Sequence, residues 1–138
     1  MRLRLRMRMH RGRDRRSGAA ATELALLLPM LIFVGAVATD YSRVFYTLAT
    51  LCDSARAGAV YYATHPTATA AAVQQVALAD AGNLSPAPTV ASSTWVDPGG
   101  TTYVQVTVSY TFRTLVVNPS IPSSTNLSKS VVMMTNPS

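Results

Sequence analysis

The pattern of apolar and polar positions changes three times along the chain. The first pattern is an apolar stretch from Ala19 to Thr39 that contains one charged residue, Glu23. About 21 residues of helix measure roughly 32 Å, enough to cross a bilayer, so the stretch predicts a transmembrane helix over residues 19–40. Pro29 lies inside it, and its ring predicts a local kink.

The second pattern is that of an amphipathic helix. Apolar or small residues recur three or four positions apart, at Val44, Leu48, Leu51, Ala55, Gly58 and Tyr62. This spacing predicts that the helix continues through residues 41–65, with Thr47 and Ser54 on other faces. The stripe has two interpretations, a face packed on the rest of the chain or a coiled-coil seam with another subunit. The first is favoured because the segment is short for a coiled coil.

The third pattern, over residues 66–138, predicts a small extracytoplasmic α+β domain. An alanine-rich segment from Thr67 to Gly82 predicts a short helix with a glycine C-cap. Alternation and turn residues predict strands at Val90–Val96, Thr101–Phe112 with a possible extension to Val117, and Leu127–Met134. In the middle strand Val104, Val106 and Val108 share one face with Tyr110 and Phe112. The predicted fold class is α+β, a long N-terminal transmembrane helix that continues into an amphipathic helix packed on a small antiparallel β-sheet.

Charge separates the first residues from everything that follows. Eight of the twelve basic residues are arginines between Arg2 and Arg16, whereas the chain from Gly18 onward is close to neutral. An RNA-binding arm or a solvated, unfolded tail would have such a composition. Because the arginines directly precede an apolar stretch, residues 1–18 are better interpreted as a cytoplasmic leader that sets the topology of a membrane helix. The neutral remainder gives no reason to expect a nucleic-acid partner.

Candidate chemistry is sparse in this sequence. The chain has a single cysteine, Cys52, and two histidines, His10 and His65, far apart. No paired carboxylates, glycine-rich phosphate loop or cysteine/histidine cluster is present. We therefore expect no enzymatic activity, no cofactor and no metal, and we expect Cys52 to act as a small buried side chain. Two acid/base pairs three residues apart, Asp40 with Arg43 and Asp53 with Arg56, predict ion pairs along the helix.

Three segments together resemble a known family. They are the stretch from Gly18 to Leu31 with its glycine, glutamate and proline, the step Thr39 to Arg43, and the alanine/arginine/glycine step from Ala55 to Ala63. In these residues the chain resembles the TadE-like pseudopilins of the tight-adherence (Tad/Flp) pilus. Leu24 departs from the resemblance, since the family more often has an aromatic residue there.

The resemblance implies specific roles for matching residues. It implies a pilin-like fold and cleavage by a prepilin peptidase between Gly18 and Ala19, with the helix retained. Glu23 and Pro29 would serve assembly and helix packing, and the step near the helix end would comprise Asp40, Arg43, Arg56 and Gly58. The implied function is that of a pseudopilin or minor pilin in assembly of an adhesion pilus.

The resemblance also implies a location and partners. The protein would lie in the bacterial inner membrane with its N-terminus cytoplasmic and its C-terminal domain extracytoplasmic, and it could enter a surface pilus. Its partners would be the prepilin peptidase, other pilins and pseudopilins, and the pilus secretion platform.

Two points stay open at the level of sequence. Glu23 could pair with the new amino group of Ala19 in a neighbouring subunit, or it could lie wet at the level of the lipid headgroups. Ala36, Val37 and Ala38 form a signal-peptidase motif after an apolar stretch. Cleavage there, or no cleavage at all, would give the alternative function, a secreted or membrane-anchored extracytoplasmic binding domain unrelated to pili.

Overall fold

The structure is a computed structural model. It describes residues 14–115 and 123–135, and for residues 14–17 the backbone alone. Its elements are α1 (Asp14–Thr64), α2 (Ala70–Asp80), β1 (Thr89–Val96), β2 (Thr102–Arg113) and β3 (Ser124–Met134). The predicted α+β class, a long helix with a short helix and a three-stranded antiparallel sheet, is confirmed. Most of the arginine-rich leader and the predicted strand extension at Val116 and Val117 lie outside the described residues.

Helix α1 is longer than the sequence pattern predicts at its start. It begins at Asp14, so the last residues before Gly18, which the sequence assigns to the leader, are helical. It continues through Pro29. The chain divides into two compact units with the boundary between Ala38 and Thr39. In the first unit, every described side chain from Gly18 to Ala38 is exposed, apart from a half-buried Ala36.

The second unit has one hydrophobic core, formed by α1, α2 and β2. Leu51, Ala55 and Ala59 of α1 are fully buried in the core cluster with Val73 of α2 and the β2 valines 104, 106 and 108. The predicted interpretation of the helix stripe as a core face is therefore confirmed. The valine face of the middle strand is also confirmed, and Phe112 is buried with it.

The three strands form a meander in the order β1-β2-β3, and both pairs are antiparallel. The predicted turn between the first two strands is present. The Asp97 carboxylate accepts a hydrogen bond from the Thr101 backbone N–H at 2.7 Å, and the Gly100 N–H donates to the Asp97 carbonyl at 3.0 Å. Gly100 has φ +85°, a conformation that favours glycine.

Three sequence predictions about the helices are wrong. Helix α2 begins at the N-cap Thr69 and ends at the C-cap Ala81, and Gly82 follows it without the positive φ of the predicted glycine cap. Thr47 and Ser54 are buried although their polarity placed them on other faces, because each hydroxyl hydrogen-bonds a backbone carbonyl. The predicted ion pair between Asp53 and Arg56 is not formed, and both side chains are exposed.

Candidate functional site

The predicted processing site lies within a regular turn of α1. Gly18 and Ala19 are exposed, and a Cβ at Gly18 would meet no described atom within 4 Å. The Thr22 hydroxyl donates to the carbonyls of Ala19 at 2.8 Å and Gly18 at 3.3 Å. Glycine weakens a helix interior by about 1 kcal/mol relative to alanine, so this turn is a weak point in the helix.

Glu23 follows the processing site on the same helix. Its side chain is exposed and forms no ion pair within the part of the chain that the structure describes. Large apolar side chains beside it are also exposed, among them Leu24 at 59% and Leu26 at 81%. An apolar surface of this extent is not stable in water, so it marks a helix that is covered by lipid or by other helices.

Within the described residues, one helix is long and apolar enough to cross a membrane, from Gly18 to Thr64. This single N-terminal apolar helix indicates membrane anchoring. It contains Pro29, as predicted for the transmembrane stretch. Pro29 is exposed, so its ring lies on the surface that faces the helix's surroundings.

Asp40 and Arg43 form a tether from α1 to the end of β2. The Arg43 guanidinium donates to the Asp40 carboxylate at 2.9 Å, which confirms the predicted ion pair. The same carboxylate accepts the Leu115 backbone N–H at 2.8 and 3.1 Å. Arg43 also lies over the Phe112 ring, with its Cζ 5.0 Å from the ring centroid. Asp40 is nearly buried, so its charge is stabilised by these partners.

The other two residues of the helix-end step have different environments. Arg56 is exposed and has no ion pair among the described residues. Gly58 is buried where α1 approaches α2 and β2. A Cβ at Gly58 would lie 3.3 Å from the Ala77 Cβ, 3.3 Å from Val106 Cγ1 and 3.4 Å from Val73 Cγ1. Gly58 therefore permits close packing of the three elements.

The structure thus brings together Asp40 and Arg43, and it places Gly58 in the core, but it leaves Arg56 apart from them. The processing pair and Glu23 lie in the other compact unit. Their roles are not visible in contacts of the single chain, because an exposed side chain on an apolar helix acts through something that covers it.

Some polar contacts have no signal in the sequence. The buried Ser54 hydroxyl donates to the Ala77 carbonyl of α2 at 2.6 Å. The Asn83 side-chain amide donates to the Tyr46 hydroxyl at 2.7 Å, and the Tyr110 hydroxyl donates to the Ser85 carbonyl at 3.0 Å. These two bonds edge an open groove of about 640 Å³ that is also lined by Arg43 and Arg113. They join positions far apart in the chain, so local patterns do not predict them.

Residues with catalytic or metal-binding potential are dispersed. In residues 14–115 and 123–135 no group of three histidine, cysteine, aspartate or glutamate side chains could hold a metal ion. The His65 ring stacks on Tyr61 at 4.7 Å between centroids and lies 3.1 Å from the Tyr61 carbonyl, as expected for a histidine at a helix end. Cys52 is half-buried beside the core stripe.

The fold and the helix define a class of protein with one N-terminal apolar helix and a small α+β unit. A comparison with known protein families gives one match within this class: residues 18–60 match the model of the family described as TadE-like protein. The resemblance predicted from the sequence is confirmed over this segment, which suggests a protein associated with the Tad pilus. The match begins at Gly18 and ends near the end of α1. No curated protein and no solved structure matched significantly.

Proposed function

We propose that this protein is a pseudopilin or minor pilin that takes part in assembly of a Tad/Flp-type adhesion pilus. The observation that carries the proposal is the coincidence of the TadE-like match, residues 18–60, with a continuous helix whose first part exposes apolar side chains on every face. A helix that is apolar all round needs lipid or neighbouring helices as its surroundings. A membrane-held subunit that packs helix against helix provides both.

In this proposal the chain is made as a precursor and cut between Gly18 and Ala19 by a prepilin peptidase. The arginine leader stays in the cytoplasm and is lost, and residues 19–40 hold the protein in the inner membrane. The glycine at the cleavage point supports this, since it is the residue that most readily leaves the helical conformation for the extended one that a peptidase binds. The subunit catalyses nothing itself and acts through contacts with other pilins and the secretion platform.

The proposal assigns the helix-end residues a structural task. Asp40 and Arg43 fasten α1 to the loop after β2, and Gly58 allows α1 to lie close to α2 and β2. A subunit that moves from the membrane into a filament by its helix must carry its α2 and β-sheet with it. The contacts of Asp40, Arg43 and Gly58 hold these elements to α1 during that movement.

One observation favours the second candidate, a secreted extracytoplasmic domain unrelated to pili. The compact unit that holds the core begins at Thr39, directly after the signal-peptidase motif that ends at Ala38. Cleavage there would release the core intact. Against it, the carboxylate of Glu23 would lie where the basic and the apolar regions of such a signal meet.

The N-terminus of the mature protein distinguishes these candidates. The full chain is expressed in a host with a prepilin peptidase, recovered separately from the membrane, periplasmic and culture-medium fractions, and examined in each by intact mass and N-terminal sequencing. We expect a chain that begins at Ala19, and we expect Gly18→Asp to block the cut, with Ala49→Asp as the control for a charge at an exposed position of the same helix beyond the transmembrane stretch. A chain that begins at Thr39 establishes the secreted domain, and an intact leader establishes a plain membrane anchor; either result overturns the proposal.

A further inference from the structure

The side of the sheet that faces away from the core has an aromatic pair at one end. Trp95 of β1 and Tyr103 of β2 are register partners, and their rings stack with centroids 5.7 Å apart and planes 15° apart. Met134 of β3 is the next partner of Tyr103, and Val132 lies two residues along the same strand. Trp95 is 43% exposed, Val132 51% and Met134 65%. Large apolar side chains thus lie side by side on an open sheet surface.

Small polar side chains continue from this end along the same surface. The Thr107 hydroxyl lies 2.8 Å from that of Ser130, and the Ser109 hydroxyl donates to that of Ser128 at 3.1 Å. These cross-strand pairs form two successive rungs, since residues two apart on a strand share a face. The surface therefore presents rows of hydroxyl groups at the regular spacing of a sheet.

The same surface has no charge over most of its length. Its positions are the alternate residues of Thr89–Trp95, Tyr103–Thr111 and Asn126–Met134, and none of them is Asp, Glu, Lys or Arg. Charged residues are few throughout the second unit, and none of them lies on this stretch of the sheet. Arg113, the last residue of β2, carries the single charge among the described residues on this side of the sheet, at the end far from the aromatic pair, and Lys129 is in register with the core-side Val108. An uncharged surface complements an uncharged ligand.

We propose that this surface, from the Trp95–Tyr103 pair along the Thr107–Ser130 and Ser109–Ser128 rungs, binds a neutral polysaccharide. A sugar ring has an apolar C–H face that packs on an aromatic ring and a rim of hydroxyl groups that bond to hydroxyls. The aromatic pair supplies the first contact and the rungs supply the second. A neutral glycan brings no charge, so the absence of charge here leaves no buried ion unpaired. The proposal does not rest on the pilin function.

Binding at this surface can be followed by the fluorescence of Trp95, because it is the only tryptophan in the chain. The full-length protein in a non-glycosidic detergent is titrated with cellohexaose or dextran, and with the anionic polysaccharide alginate. We expect a saturable change in tryptophan emission with at least one neutral glucan, a Kd of about 1 mM or tighter, and no loss of binding in high salt. No change with either neutral glucan, or binding of alginate alone, overturns the proposal.

Two variants test the residues. Tyr103→Ala retains the tryptophan and is measured by fluorescence, whereas Trp95→Ala is measured by retention on insoluble cellulose or crosslinked dextran. We expect each to weaken binding about tenfold. The control is Val96→Ala, which removes an exposed apolar side chain from the other side of β1 and is expected to bind as the unchanged protein does.

Far-UV circular dichroism establishes that each variant is folded. Variants that bind like the unchanged protein overturn the proposal. It is also overturned if the unchanged protein is a dimer and Trp95→Ala makes it monomeric without affecting glucan binding. The surface would then be an interface between copies of this chain.

Discussion

Asp40 is the residue whose environment departs most from that of an ordinary surface carboxylate. It is on a helix that continues an apolar stretch, yet it is nearly buried and bound by a guanidinium and a backbone N–H. The Leu115 contact joins positions 75 residues apart in the chain. The Asp40 carboxylate therefore links α1 to the residues that follow β2.

Replacing Asp40 by Asn should destabilise the second unit by about 2 kcal/mol, because hydrogen bonds to a charged acceptor are stronger than neutral ones and Arg43 would lose its ion pair. In urea this corresponds to a midpoint about 1 M lower. The measurement is urea unfolding of the full chain in detergent, followed by the fluorescence of Trp95, which lies in that unit. The control is Asp53→Asn, an exposed carboxylate on the same helix with no ion pair among the described residues.

Equal midpoints for Asp40→Asn and the unchanged protein would show that the tether contributes nothing to stability. A drop of similar size for Asp53→Asn would show that the effect is one of net charge and not of the contact with Leu115.

Among the elements, α1 and α2 meet β2 through small side chains. Ala55 and Ala59 of α1 and Ala77 of α2 are fully buried, and Gly58 lies among them. Small residues allow two helices and a strand to approach closely, and the buried Ser54 hydroxyl ties α1 to α2 at the same place. The packing therefore depends on shape more than on large apolar side chains.

Gly58→Leu should lower the stability of the second unit by about 2 kcal/mol. The new side chain would collide with Val106 and Val73, and overpacking costs about 1–3 kcal/mol, more than the helix gains by losing a glycine. The same urea experiment measures it, with Val60→Leu as a control at an exposed position two residues further along the helix. If Gly58→Leu unfolded at the midpoint of the control, the close approach would have no energetic consequence.

The sequence predicts elements better than it predicts the contacts between them. The spacing of apolar residues predicts where α1 ends, and strict alternation predicts that Val104, Val106 and Val108 lie on the buried face of β2. Thr47 and Ser54 were misassigned because a hydroxyl counts as polar in any pattern, whereas a buried one is acceptable once it bonds a carbonyl. The tether at Leu115 and the bond to Ala77 depend on tertiary packing, which no local pattern encodes.

At the scale of the whole molecule, the two compact units differ in what their surfaces require. The second unit buries a core of apolar side chains and leaves other large ones exposed, whereas the described part of the first unit exposes nearly all of its own and has no such core. The first unit is therefore complete only when something else covers it. Membrane anchoring provides that cover, and in the proposed filament other subunits do so.

Glu23 allows a test of whether other subunits cover the apolar helix. A carboxylate on an apolar helix is costly in a dry interior unless it is paired, but costs little in wet headgroups. If it pairs with the Ala19 amino group of a neighbouring subunit, Glu23→Ala should leave cleavage and membrane insertion unchanged and reduce piliation at least about tenfold, a loss of roughly 1.4 kcal/mol per contact or more.

The three readouts are the mature N-terminus, the membrane fraction and the amount of sheared pili, and Thr22→Ala is the control for loss of the neighbouring polar group. Glu23→Gln separates charge from shape, since it keeps the size of the side chain but cannot form an ion pair, and it should resemble Glu23→Ala. Normal piliation by both Glu23 variants would place the carboxylate in the headgroup region and remove it from assembly. Impaired cleavage would instead make Glu23 part of the signal that the peptidase recognises.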